Sequence, residues 1–240
     1  MLPVQTAQPP GAICLASGEI ARYGVSLQCL ERLRVPNASL LAWFMGVLVA
    51  ENLNRGLDAM LENPALQWAW IMGDDHIYDA GIVMGLLERE VDVVLPLCLN
   101  RYPPLDPSIV GPAGQEHLED LPTAGLYRLA PDETCGDAGM LIRRSVLERL
   151  ARPFYDRLRS GSFKSEDQAF TRKLQDAGYD VWVDVEHPIG HIAAVAVEPV
   201  VKHGAWNIRL TGGMKHIVDI APRRIPVAPA APVASLLVPA

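Results

Sequence analysis

Trp68-Ala69-Trp70-Ile71-Met72-Gly73-Asp74-Asp75-His76-Ile77-Tyr78 is the stretch that decides how this chain is read. Trp68 to Met72 is an unbroken apolar and aromatic run, the pattern of a strand buried on both faces. It stops at Gly73, and two carboxylates and an imidazole follow at once. In an α/β protein, acids at the C-terminal end of a strand stand where ligands bind. Oxygen ligands joined by one histidine suit a hard divalent ion such as Mg²⁺ or Mn²⁺. A solvated turn would use the same three residues, and the stretch alone does not choose between the two.

Working outward, strands and helices alternate. Gly11 to Ser17 holds a first strand, Ala12-Ile13-Cys14-Leu15-Ala16, and Ser17-Gly18 opens a loop at its C-terminal end. Val25 to Leu33 carries Leu27, Leu30 and Leu33 at helical spacing, with Pro36 as the stop. Leu40 to Ala50 is uncharged or apolar throughout but too short to span a bilayer. It reads as a buried strand, Leu40 to Phe44, running into a helix. That helix, Ala50 to Leu61, places Leu53, Leu57, Met60 and Leu61 on one face. Ile82 to Arg89 predicts a helix with Val83, Leu86 and Leu87 inward, and Val91 to Cys98 reads as a central parallel strand. The alternation predicts an α/β fold: a mostly parallel central sheet with helices on both faces.

A second chemical cluster lies further on. Ser165 is a candidate N-cap, Glu166 and Asp167 fall in the first turn, and Phe170 and Leu174 share a face before Gly178 ends the helix. Tyr179 to Val185 then alternates like a strand, and Gly190-His191 follows. Taken singly, Glu166 and Asp167 read as helix-capping acids and His191 as a hydrogen-bonded loop histidine. Their order after the Asp-Asp-His strand is what points to a site.

Between the clusters, Tyr102-Pro103-Pro104 and Pro107 signal an irregular loop, and 105–130 reads as hairpin or loop. Arg143, Arg144, Arg149, Arg152, Arg157 and Arg159 cluster in sequence and read as a solvated amphipathic helix. Met1 to Pro10 has neither a basic start nor an apolar core, so it is not a secretory signal and is expected to be disordered. Residues 221–240 are rich in Pro, Ala and Val without helical period and read as a flexible tail. A single catalytic domain is therefore expected over 11–220. The formal charge of −7 argues against a broad nucleic-acid surface. The four cysteines, Cys14, Cys29, Cys98 and Cys135, form no C-x-x-C pair, which speaks against a zinc finger or dithiol chemistry. Cys14 and Cys98 read as buried small hydrophobes, and reduced thiols fit a cytoplasmic protein. Peripheral contact with a membrane surface stays open.

Four segments together resemble glycosyltransferases of the GT-A fold, in particular the family 2-like group of small bacterial and phage enzymes. Val49 to Arg55 is similar to a helix start near the donor nucleotide. Met72 to His76 is similar to the metal-binding Asp-X-Asp motif, with Gly73 where the first Asp usually stands. Gly136 to Arg144 resembles a small-residue strand lining the acceptor site. Ser165-Glu166-Asp167 with Gly190-His191 resembles the catalytic acid motif and the late histidine ligand. The resemblance implies a Mn²⁺ or Mg²⁺ ion held by Asp75 and His191. It also implies a nucleoside diphosphate sugar near Ser17, Asn54, Arg55, Asp74 and Arg101, and an acceptor near Gly139 and Glu166. Asp167 is implied as general base of an inverting transfer, with Glu166 orienting the acceptor. Surface roles for Asn54, Arg55 and Arg101, and turn or bulge roles for Gly136 and Gly139, compete with these. Trp182 and Trp206 read as core in preference to sugar platforms. The acceptor could be a glycan, a lipid carrier, a protein or a modified nucleic-acid base. The rival readings are a sugar-nucleotide nucleotidyltransferase, disfavoured by the acidic, glycine-poor Ser17-Gly18-Glu19-Ile20-Ala21-Arg22, a metal-dependent phosphohydrolase, and a non-catalytic nucleotide-sugar-binding protein.

Overall fold

The computed structural model describes residues 1–18, 23–102, 105–156, 165–203, 205–212 and 215–220, without the side chains of 196, 205, 206, 212 and 215–220. The loop after Ser17-Gly18, Arg157 and Arg159, the Trp206 side chain and the 221–240 tail lie outside the described residues. The chain divides into two compact units, Met1–Ala193 and Ala194–Ala240, in place of the single domain expected over 11–220.

In chain order the first unit runs β1 (Leu2–Val4), β2 (Ala12–Ser17), α1 (Gly24–Arg32), β3 (Arg34–Pro36), β4 (Leu40–Met45), α2 (Val49–Glu62), β5 (Trp68–Gly73), β6 (His76–Ile77) and α3 (Ile82–Glu88). It continues with β7 (Val93–Cys98), β8 (Ile109–Gly111), β9 (Gly114–Gln115), β10 (Leu126–Arg128), β11 (Thr134–Cys135), β12 (Leu141–Arg143), α4 (Arg144–Leu147), α5 (Glu166–Asp176) and β13 (Trp182–His191). The central sheet has the order β10-β13-β7-β12-β5-β2-β4, with β6 paired to β13. β4, β2, β5, β7 and β13 point one way. β12 runs antiparallel between β5 and β7, and β10 antiparallel to β13. The fold is thus mixed α/β with a large, mostly parallel sheet, as the alternation predicts.

The period of two along each strand builds two cores. Ala12, Cys14 and Ala16 of β2, Ala69 and Ile71 of β5, and Val93 and Leu95 of β7 face one side, under α2, α4 and α5. Ile13, Leu15, Trp68, Trp70, Met72 and Val94 face the other, under α1 and α3. Leu57 and Met60 of α2 are wholly buried, as are Leu86 and Leu87 of α3, each burial stabilising by about 1.5–3 kcal/mol. Phe170 and Leu174 of α5 are buried on the α2 side.

Three expectations need correcting. Met1 to Pro10 is not disordered: β1 pairs in parallel with β3, and the Pro9 and Pro10 carbonyls accept from the Trp68 indole (2.8 Å) and the Gln67 amide (2.8 Å). β4 is not buried but is the sheet's edge strand, with Leu40, Trp43 and Met45 exposed. Over its described residues the arginine cluster does not form a solvated helix. Helix α4 is one turn, and Arg144 reaches back to the carbonyls of Leu61 (2.8 Å), Asn63 (2.9 Å) and Leu66 (3.1 Å), capping the end of α2. Within 105–130, β8 and β9 form a small sheet with β11, while β10 joins the edge of the main sheet.

The second unit, over its described residues, is an antiparallel sheet of β14 (Val195–Lys202), β15 (Ala205–Gly212) and β16 (Lys215–Ile220). Among the described residues no helix is long and apolar enough to cross a membrane.

Candidate functional site

From β2 the chain passes to β4 on one side, and β5 then lies on the other. Such a switch opens a crevice at the C-terminal strand ends. A cavity of about 260 Å³ lies there. Its walls come from the ends of four parallel strands: Ala16 and Gly18 after β2, Gly73 to His76 after β5, Cys98, Asn100 and Arg101 after β7, and His191 at the end of β13. Val49 and Leu53 of α2, Gly136 to Ala138 ahead of β12, and Asp167 of α5 complete it.

One corner is a charged knot around Asp75, which is 6% exposed. Arg101 donates from Nη1 to Asp75 Oδ2 at 2.7 Å. His76 Nδ1 lies 2.9 Å from Asp75 Oδ1, and His191 Nε2 lies 3.5 Å from Oδ2. Burial works against ionisation of this carboxyl, but the facing His191 and His76 imidazoles outweigh it and hold Asp75 well below the usual carboxylate range. The two imidazoles stack with centroids 4.5 Å apart. The register explains it: β13 pairs with β6 so that His191 stands opposite His76. His191 Nδ1 faces the Leu99 carbonyl at 3.1 Å, which makes that nitrogen the N–H donor. Despite its short contact with Asp75, His76 makes no aligned hydrogen bond from either ring nitrogen, although the residue is only 5% exposed. Cys98 Sγ completes a set with the two histidines whose donor atoms all lie within 4.8 Å. Burial, with Asp75 adding to it, pushes the Cys98 thiol up to about 12.

Across the cavity stands a pair of half-buried acids. Asp167 Oδ1 accepts the Gln168 amide at 2.8 Å at the start of α5. Burial is the main cause of its raised pKa, opposed by hydrogen bonds from Ser165 and the Gln168 amide. Burial, with the Asp167 charge beside it, pushes Asp137 up to about 7, against a hydrogen bond from the Tyr155 hydroxyl. Both carboxyls are thus shifted toward the protonated form, and the charge on Asp167 adds to the shift at Asp137. A second cavity of about 230 Å³ adjoins, lined by Asp137, Tyr155, Ser165, Glu166 and Asp167. The acid pair therefore stands between two hollows.

Of the residues picked out in the sequence, Asp74, Asp75, Arg101, Asp167 and His191 line the first cavity and Glu166 lines the second. The others are placed elsewhere. Ser17 is buried, with its hydroxyl accepting from the Trp43 indole at 2.9 Å, though its neighbours Ala16 and Gly18 reach the cavity. Asn54 is turned to the Tyr155 backbone, donating to its carbonyl (2.9 Å) and accepting its amide (3.0 Å). Arg55 is exposed and lies 4.5 Å over the Phe44 ring. Gly139 is not among the residues lining the cavity; it has φ +76°, and a Cβ there would meet Pro96 Cγ at 2.5 Å. Gly136 does line the cavity. Trp182 packs against the core, as its alternation suggested.

His76, Cys98, Asp137 and Tyr155 were not assigned roles from sequence. His76 and Asp137 lie inside quoted motifs, an imidazole beside the acids and an acid among small residues. Cys98 ends an apolar strand, where a thiol reads as core.

No family model matches the sequence, and no curated protein is recognisably similar to it. A likeness does exist among solved structures. The crystal structure of A197 from STIV superposes with a TM-score of 0.50 at 13% identity, covering 80% of this chain and 99% of that one. At that identity the likeness bears on the fold alone.

Proposed function

We propose that this chain is a glycosyltransferase of GT-A type, moving a sugar from a nucleoside diphosphate sugar to an acceptor hydroxyl. The observation that carries this reading is one cavity with Asp75, two histidines and a cysteine gathered at one side and two carboxyls of raised pKa at the other. The ordered motifs, Asp75 after β5, Asp167 at the start of α5 and His191 at the end of β13, support it.

In this reading the diphosphate lies toward Arg101, whose guanidinium forks onto phosphate oxygens once Asp75 shares it. A divalent ion bound in the same corner supplies further positive charge to the leaving group. The sugar projects toward Gly136 and the acid pair. The acceptor enters through the second cavity, past Glu166. As its oxygen bonds to the anomeric carbon, its proton passes to Asp167. The anomeric bond to the diphosphate breaks, and the electron pair leaves on phosphate oxygen. Asp137, tied to Tyr155, keeps the pair's proton affinity near neutral, where a general base is most effective. A base facing the leaving group across the sugar gives inversion.

The test is calorimetric titration of UDP, GDP, CDP and dTDP, with and without divalent ion, on wild type and on Asp167→Asn. The reading expects one diphosphate to bind, equally to both proteins, with sugar transfer lost in the variant by about 10²–10⁴-fold. Binding of a triphosphate with release of pyrophosphate would instead make it a nucleotidyltransferase. Nucleotide-sugar binding without turnover would make it a binding protein. No binding by folded protein would overturn the reading.

A further inference from the structure

We propose that His76, Cys98 and His191 form a site for a borderline-soft divalent ion, zinc or cobalt(II), in preference to the manganese or magnesium expected from the motif. The proposal deepens the transferase reading by naming the ion. It rests on the donor atoms themselves and not on any nucleotide.

The geometry points this way for three reasons. The first is the donor set: two imidazoles and a thiol within 4.8 Å of one another. Donors around a tetrahedral zinc stand about 3.3–3.8 Å apart, given bonds of about 2.0–2.3 Å, so closure needs side-chain shifts of about 1 Å. Nitrogen and sulfur suit zinc and cobalt, whereas magnesium demands an octahedron of oxygens. The nearest carboxylate, Asp75, is already engaged by Arg101 at 2.7 Å.

The second reason is His76. It is 5% exposed; Nδ1 lies 2.9 Å from Asp75 Oδ1, and Nε2 has no hydrogen-bond partner. A buried ring nitrogen left unsatisfied is costly, and a metal bond is a chemical way to satisfy it. The third is the preparation of His191. Its Nδ1–H is committed to the Leu99 carbonyl at 3.1 Å, which leaves Nε2 with its lone pair toward the cluster. Metal-ligating histidines are held by this kind of outer contact. The three donors sit on β6, β7 and β13, which pair where β13 sets His191 opposite His76 and Ile189 opposite Cys98, so the site is built on paired strands. Three protein ligands leave a fourth position for a substrate oxygen from the cavity.

The experiment is titration of the nucleotide-free protein with Co²⁺, followed by absorbance. The expected result is a thiolate-to-cobalt charge-transfer band saturating at one equivalent, displaced by Zn²⁺ and untouched by the same concentration of Mn²⁺. Cys98→Ser should lose the band and bind Zn²⁺ at least about tenfold more weakly. His191→Gln, at a partly exposed position that spares the core, should weaken cobalt and zinc binding alike. Cys29→Ser should keep the full band. A wild-type protein that is folded but shows no band, a band that survives in Cys98→Ser, or Mn²⁺ bound as tightly as Zn²⁺, would each overturn the proposal. Because no nucleotide is present, the ion assignment and the transferase reading succeed or fail separately.

Discussion

Asp137→Asn offers the most direct physical test of the acid pair. Asp137 has an ordinary value of 3.8 in an unfolded chain and about 7 in the folded one, because it is buried beside Asp167. Its folded value is raised, so its contribution to stability is fully present below pH 3.8 and is lost as pH rises through about 7. At about 1.4 kcal/mol for each pH unit between the two values, the loss is about 4–5 kcal/mol, and coupling to Asp167 reduces it to about 2–4 kcal/mol. The amide is isosteric and its oxygen can still accept the Tyr155 hydroxyl, but it never acquires the charge. The variant should therefore match wild type at about pH 3 and exceed it by about 2–4 kcal/mol at about pH 8. Urea unfolding across that range, with the slope of each transition compared, measures this. A stability difference that does not change with pH, or one that turns against the variant as pH rises, would refute the picture of a coupled, desolvated pair. The same variant should carry any transfer activity to lower pH, because Asp167 would lose the like charge beside it.

Arg101→Met removes the guanidinium from Asp75 and should weaken nucleoside diphosphate binding by about 10–100-fold, read by calorimetry. Gly139→Ala introduces a side chain at φ +76° with its Cβ 2.5 Å from Pro96. It should cost about 2–4 kcal/mol in urea unfolding, and a cost below about 0.5 kcal/mol would contradict the packing role. Asn54→Ala deletes both hydrogen bonds to the Tyr155 backbone. It should destabilise by about 1–3 kcal/mol while leaving diphosphate affinity within about twofold, the opposite of what a donor-binding residue would show.

Most of the sheet was legible because long strands carry a physical period. β2, β5 and β7 are continuous apolar runs, and the structure buries alternate residues in cores on opposite faces. α2 and α3 were legible from Leu53, Leu57, Met60, Leu86 and Leu87 at helical spacing. The short strands were not. β12 is three residues placed antiparallel between β5 and β7, and β1 is three residues paired to β3. Such pairings depend on distant partners, so a local window carries little of them. β4 misled for a different reason. Leu40 to Met45 is apolar, and apolarity was read as burial, yet an edge strand keeps an open flank.

The site was legible where it hangs on strand ends and illegible where it depends on helix phase or packing. Asp75 and Arg101 follow parallel strands and His191 ends one, so a switch-point crevice collects them whatever their distance in sequence. α2 explains the misses at Asn54 and Arg55. Val49 and Leu53, four residues apart, are the pair it presents to the cavity. Each later residue turns about 100° round the axis, which carries Asn54 to the Tyr155 backbone and Arg55 to solvent. Yet that displacement ties α2 to the chemistry in another way. Asn54 fixes the Tyr155 backbone, Tyr155 donates its hydroxyl to Asp137, and Asp137 shares its electrostatics with Asp167. The helix wall of the cavity and the proton affinity of the acid pair are thus linked through one tyrosine, which is why Asn54 should matter to stability and pH profile and not to nucleotide binding.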